Sequence, residues 1–354
     1  MEFLHEVGLF SAQALVIVVA IVLAAAGVAV VSQRKRGSGE DGYIEVRQAN
    51  DRYLAYQDAV RSLTETKAET KARLKAEKQR KKEEAKAEKQ RANQAEGDDA
   101  APSRPRIFLI HFEGDMRASQ VAALREELSA LLPVATPADE VVVRLESPGG
   151  LVHGYGLAAS QLRRVREAGI PLTVAVDKVA ASGGYMMACV ADKIIAAPFA
   201  VLGSIGVLAQ LPNFHRLLKK HDIDFELFTA GEYKRTLTMF GENTDKGREK
   251  FVEELEETHG LFKSFVSDNR PSVDITKVAT GEVWYGQQAV EVGLVDELST
   301  SDGYLQSRMA DADILEVRYR QKPSLQERLG LAVEQSMERT FYKIWQQGFS
   351  RFLP

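Results

Sequence analysis

Residues 170–198 read IPLTVAVDKVAASGGYMMACVADKIIAAP, and this stretch decides the fold. "IPLTVAVDK" and "DKIIAAP" are short, nearly continuous runs of Val, Ile, Leu and Ala, the composition of strands buried on both faces. Between them "GYMMACVA" reads as a helix. A strand, a helix and a second strand in succession call for a parallel sheet. At the first junction stands "VAASGGY", residues 179–185. Its small residues suit a tight strand-to-helix turn, and Ser182 within that turn is also placed as a nucleophile would be. The motif alone does not separate packing from chemistry.

The same texture extends outward. "RIFLIHF" (106–112) and "EVVVRLES" (140–147) read as strands, and "ASQVAALREELSALL" (118–132) and "GYGLAASQLRRVREAG" (154–169) as helices. "TDKGREKFVEELEETHGLFKSFVSDNR" (244–270) is a long helix with apolar residues at 251, 255, 262 and 266. The expectation is one α/β domain over residues 104–320, with a parallel sheet covered by helices on both faces.

The flanks differ. Residues 7–33 carry no charge, and about 20 apolar residues suffice to cross a bilayer. The run is too long for a signal-peptide core, and Glu2 and Glu6 precede it rather than lysines, so an uncleaved anchor is expected over residues 1–36, spanning about 10–32. "QRKRG" (33–37) follows at once, and the positive-inside rule puts that side in the cytoplasm. Residues 37–103 read as a charged helical or disordered stalk. Within it, 67–96 holds eleven Lys/Arg against six acids and no apolar stripe, so it has no face to bury. "GDDAAPSRPR" (97–106) breaks any helix and marks a boundary. Residues 321–354 read as an amphipathic tail.

Composition removes several functions. A net charge of −4 argues against a nucleic-acid partner. One cysteine, Cys189, and six scattered histidines give neither a disulfide nor a metal cluster, so no metal and no cofactor is expected.

Ligands of parallel sheets bind beyond the carboxyl ends of the strands. Two glycine-rich turns fall there, "ESPGGLVHGYG" (146–156) and "AASGG" (180–184). Each can present backbone N–H groups to an anion, and together they could frame an oxyanion hole. For a base, His153 falls in the first turn and His215 and His221 in the surface helix "NFHRLLKKH"; none has an aspartate at a suitable place. A lysine serves instead if burial lowers its pKa. Lys234, in "FTAGEYKRTLTMFGE" after the expected strand "DFELFTA" (224–230), is the candidate.

Five ordered motifs, "RLESPGGLVHGYGLAASQL", "VDKVAASGGYMMACVADKI", "GSIGV", "TAGEYKRTLT" and "VATGEVWYGQQAVEVGLVDEL", together resemble the S49 family of signal peptide peptidases over residues 104–300. The resemblance implies a ClpP/crotonase-like fold and a Ser/Lys protease. It implies Ser182 as nucleophile, Lys234 as general base, and Ser204 as the residue orienting that lysine. For the oxyanion it implies the N–H groups of Gly183 and Gly150, with Gly149 an open alternative to the latter. It further implies a homo-oligomeric ring whose subunits can share the dyad, a bacterial inner-membrane location, and unfolded peptide segments or signal-peptide remnants as substrates. The flanking charges favour a cytoplasmic catalytic domain, whereas the resemblance allows the other side. Two other functions stand beside this one: a catalytically silent membrane scaffold, and a crotonase-like acyl-CoA enzyme, for which neither turn offers a carboxylate base.

Overall fold

In the computed structural model of the protein, residues 42–94 and 104–321 are described. The expected span at 10–32 and the tail beyond Gln321 lie outside them. Among the described residues no helix is long and apolar enough to cross a membrane. The described residues between 44 and 319 belong to one compact unit.

The fold is mixed α/β around a parallel sheet. Ten strands are present among the described residues: β1 (Gly42–Gln48), β2 (Arg106–Glu113), β3 (Glu140–Glu146), β4 (Leu172–Val176), β5 (Val179–Ala181), β6 (Lys193–Ala196), β7 (Val201–Gly203), β8 (Val283–Tyr285), β9 (Glu297–Leu298) and β10 (Asp313–Gln321). Seven build the main sheet in the order β1-β10-β2-β3-β4-β6-β9. From β10 to β9 every pairing is parallel. The crossover helices are α3 (Val121–Leu131) between β2 and β3, α4 (Val152–Glu167) between β3 and β4, and α5 (Gly183–Ala188) before β6.

Alternation along the strands explains the two covered faces. Phe108, Ile110 and Phe112 of β2, with Val141, Val143 and Leu145 of β3 and Val174 of β4, join a core with Leu124, Leu128, Leu162 and Met187 from α3 to α5. The intervening Ile107, Leu109 and Val142, with Ile314 of β10, point the other way. They pack with Ala49 and Tyr53 of α1 (Ala49–Thr64) and Leu305 of α10 (Ser301–Arg308). Part of the segment read as a stalk thus packs on the domain. Asn50 fixes it there: its Nδ2 donates to Ala312 O at 3.0 Å and its Oδ1 accepts from Ile314 N–H at 2.6 Å. The helix α2 (Lys67–Gln94) that follows buries no side chain among those described.

The strand leading to Ser182 is not β4. The chain bends at Asp177, whose carboxylate accepts from Ser301 N–H at 2.8 Å, and restarts as β5 in a small second sheet of order β5-β7-β8. An isolated bridge between Ser147 and Ala180 joins the two sheets. That bridge lays the turn after β3 against the turn after β5.

The expected strand over 224–230 does not form. Residues 222–229 have no regular structure, and Phe225, Leu227 and Phe228 are 43%, 48% and 87% exposed. A strand needs a partner edge for its N–H and C=O groups, and among the described residues 224–230 exchange no backbone hydrogen bond with another segment.

Candidate active site

Ser182 stands between β5 and α5 with φ 52° and ψ −118°. This region is costly for a residue with a Cβ, of the order of 1–3 kcal/mol. Three anchors hold it there. Ser182 N–H donates to Gly203 O at 2.8 Å, Met186 N–H donates to Ser182 O at 2.9 Å, and Ala181 N–H donates to Ser147 O at 3.0 Å. A nucleophile on such a sharp strand-to-helix turn projects its hydroxyl beyond the sheet.

The opposing turn, residues 147–150, presses closely on it. A Cβ on Gly184 would lie 2.5 Å from Ser147 O, and one on Gly150 would lie 2.3 Å from Met116 O. Only glycine allows backbone to approach backbone at this range. Between the turns runs a narrow cleft lined by Gly150, Val152, Ser182, Gly183, Val207 and Phe262, among others. Its enclosed space of about 20 Å³ holds one small group.

Both expected oxyanion donors line that cleft. Gly183 opens α5, so its N–H has no acceptor within the helix. Of the two candidate glycines in the other turn, Gly149 is occupied: its N–H donates to Ser147 Oγ at 3.1 Å. Gly150 N–H makes no hydrogen bond among the described residues, and Gly150 lines the cleft.

Ser204 follows β7, directly after the residue that anchors Ser182. It has φ 49°, and its N–H donates to Glu282 O at 2.7 Å. Lys234 is not brought to the cleft. It is exposed on a turn closed by its own N–H to Gly231 O at 3.2 Å, and its ammonium has no ion pair among the described residues. Ser182, Gly183 and Gly150 therefore meet within one chain, Ser204 stands behind them, and Lys234 does not join them. His153, His215 and His221 are not in the cleft lining either. No group of His, Cys, Asp or Glu among the described residues could hold a metal ion.

The sequence reading missed Ser147 and Tyr155, both 0% exposed beneath the two turns. Their hydroxyls lie 2.5 Å apart. Both letters stand in "SPGGLVHGY", but a spacing of eight across a turn into a helix has no periodic signature.

Residues 2–162 match Peptidase family S49 N-terminal and residues 164–315 match Peptidase family S49. The chain is 51% identical over 337 residues to Probable protease SohB of Haemophilus influenzae, covering 95% of this chain and 94% of that one. The chain belongs to peptidase family S49. It is also 55% identical over 243 residues to Probable protease SohB of Buchnera aphidicola subsp. Acyrthosiphon pisum, covering 69% of this chain and 72% of that one. Among solved structures, a membrane-bound stomatin-specific protease shares 10% identity at a TM-score of 0.40, over 66% of this chain and 99% of that one. That likeness is too low to speak to site or substrate. Membership of S49 makes this chain a serine-type endopeptidase, with peptides as its substrates.

Proposed function

We propose that this S49 chain is a membrane-anchored Ser/Lys endopeptidase on a ClpP/crotonase-like fold, hydrolysing unfolded segments or signal-peptide remnants through an acyl-enzyme. The observation that carries the reading is the cleft itself: Ser182 on a strained turn, with the N–H groups of Gly183 and Gly150 unspent beside it. Lys234, as neutral amine, takes the Ser182 Oγ proton while the oxygen attacks the scissile carbonyl carbon. Gly183 and Gly150 donate to the resulting oxyanion, each worth roughly 3 kcal/mol in comparable sites. The lysine ammonium returns its proton to the leaving amine, and water then cleaves the ester by the same route.

The base arrives from a neighbouring copy in a homo-oligomeric ring. Two features support this. Lys234 lies outside the cleft of its own chain, and the segment just before it exposes apolar side chains, Phe225, Leu227 and Phe228, the last at 87%, that a neighbour would cover. Ser204, beside the anchor of Ser182, would meet and orient that lysine. The bilayer is the partner of the N-terminal apolar run, and the flanking "QRKRG" favours a cytoplasmic catalytic domain in the bacterial inner membrane.

Co-expression tests the reading. Ser182→Ala and Lys234→Ala each abolish cleavage of an unfolded peptide, and the two variants expressed together recover part of it because mixed rings contain intact sites. Retained cleavage in Ser182→Ala overturns the nucleophile. No recovery on mixing overturns the shared dyad. A C-terminal tag probed by protease in spheroplasts reports the membrane side.

A further inference from the structure

Tyr155 lies in the first turns of α4, wholly buried, with its hydroxyl between two partners. Its Oη is 2.8 Å from Asp115 O and 2.5 Å from Ser147 Oγ. A carbonyl only accepts, so the one phenolic proton is committed to Asp115. The short bond to Ser147 must then be donated by the serine. With its own proton spent, Ser147 Oγ is free to accept, and it accepts Gly149 N–H at 3.1 Å. The three bonds form one chain with a single proton order: Gly149 N–H to Ser147, Ser147 to Tyr155, Tyr155 to Asp115. Burial raises the Tyr155 phenol above its ordinary value, which keeps that proton in place across the neutral range.

The chain ends at the turn that frames the cleft. Gly149, with φ +92°, is held from one side by Ser147, and Leu151 from the other by its N–H to Met116 O at 2.8 Å. Gly150 is pinned between them with its own N–H unspent. The Tyr155 ring meanwhile lies under the second donor: a Cβ on Gly183 would fall 2.4 Å from its Cγ. One side chain thus touches Gly183 directly and reaches Gly149 through Ser147. Neither Tyr155 nor Ser147 lines the cleft.

We infer that Tyr155 and Ser147 are positioning residues that fix the Gly150 and Gly183 N–H groups at the spacing an oxyanion requires, an inference resting on the serine-peptidase cleft proposed above. Misplacement by about 1 Å costs roughly 100-fold in rate, so a buried hydrogen-bond chain is a fitting support for a site made only of backbone.

The test uses the full chain in detergent extract. Tyr155→Phe keeps the ring and removes the hydroxyl; Ser147→Ala removes the link to Gly149. Each is expected to lower kcat by about 10- to 100-fold with KM within about threefold. A peptide aldehyde, which forms an oxyanion on Ser182, loses affinity by the same factor, while a product peptide acid binds as before. The double variant is no worse than the poorer single one, because both cut one chain. If either variant melts at a much lower temperature, the other carries the test. Wild-type kcat in both variants, or equal weakening of aldehyde and product peptide, overturns the inference. Turnover surviving in Ser182→Ala instead defeats the cleft assignment, so the two failures are told apart.

Discussion

A methyl group on Gly149 would lie 2.8 Å from the amide nitrogen of Gly183 and 2.8 Å from Ser182 Cβ. The two turns are therefore in direct contact, too close at Gly149 for any side chain there. Gly149→Ala meets that contact and also a φ of +92°, which disfavours any Cβ. It is expected to reduce peptide cleavage at least about 100-fold, since one turn must withdraw and carry its N–H with it. Gly169→Ala is the control: its φ is +72° but nothing lies within 4 Å of the added carbon. It should cost about 1 kcal/mol of stability and leave cleavage intact. Equal activity in the two alanine variants would refute this account of the contact.

Ser182 holds a conformation that glycine adopts freely, φ 52° with ψ −118°. Ser182→Gly should raise the melting temperature above that of both wild type and Ser182→Ala, a relief of about 1–3 kcal/mol. The alanine variant keeps a Cβ and keeps the strain. Both lack the hydroxyl, so the comparison separates stored strain from lost chemistry. A glycine variant no more stable than the alanine variant would show that the turn is not strained.

How far these features were legible depended on whether they wrote a local pattern. The Val/Ile/Leu runs at 107–112, 141–145 and 172–176 announced a parallel sheet because both faces are buried, and that sheet is present. The turns at Ser182 and Gly150 were visible because close backbone approach demands glycine at fixed places. Residues 42–64 fall within the expected stalk at 37–103 because only Ala49, Asn50 and Tyr53 of α1 are buried, too few to write an apolar stripe in a charged neighbourhood. The run "DFELFTA" had the letters of a strand, but letters do not supply a neighbouring edge. The Ser147–Tyr155 bond joins the end of one element to the interior of the next, and no periodicity records it.

Glu127 of α3 is 5% exposed and accepts Tyr319 N–H at 2.8 Å. Burial pushes its carboxyl up to about 6, against the opposing pull of that N–H. The unfolded chain titrates near 4.3, so the folded protein holds the proton more tightly. Its contribution is favourable below about pH 4 and is lost as pH rises through 6, leaving the ionised group a cost of about 2 kcal/mol at neutral pH. Glu127→Gln keeps the acceptor without the charge. It should stabilise the protein by about 1–2 kcal/mol at pH 7.5 and by almost nothing at pH 4.5, read from thermal melts at both values. A gain independent of pH would point to packing instead.

Asn50 decides where the folded unit begins. Its amide both donates to Ala312 O and accepts from Ile314 N–H, at 7% exposure. Asn50→Ala leaves the Ile314 N–H without a partner, about 1–3 kcal/mol by desolvation, and leaves Ala312 O with only the 3.4 Å bond from Arg104 Nη2. Asn50→Asp is worse, since a carboxylate then faces the Ala312 carbonyl, two acceptors with no proton between them. Ala49 and Tyr53 on the same helix cover Ile107, Leu109, Val142 and Ile314, so a chain starting at residue 104 uncovers part of that face as well. Such a chain should bind a hydrophobic dye and melt well below the full protein, whereas removal of the exposed helix 67–94 with a flexible replacement should leave the melting temperature unchanged. If the shortened chain instead melts with the full protein, the segment from Ala49 to Tyr53 is an appendage and the sheet stands without it.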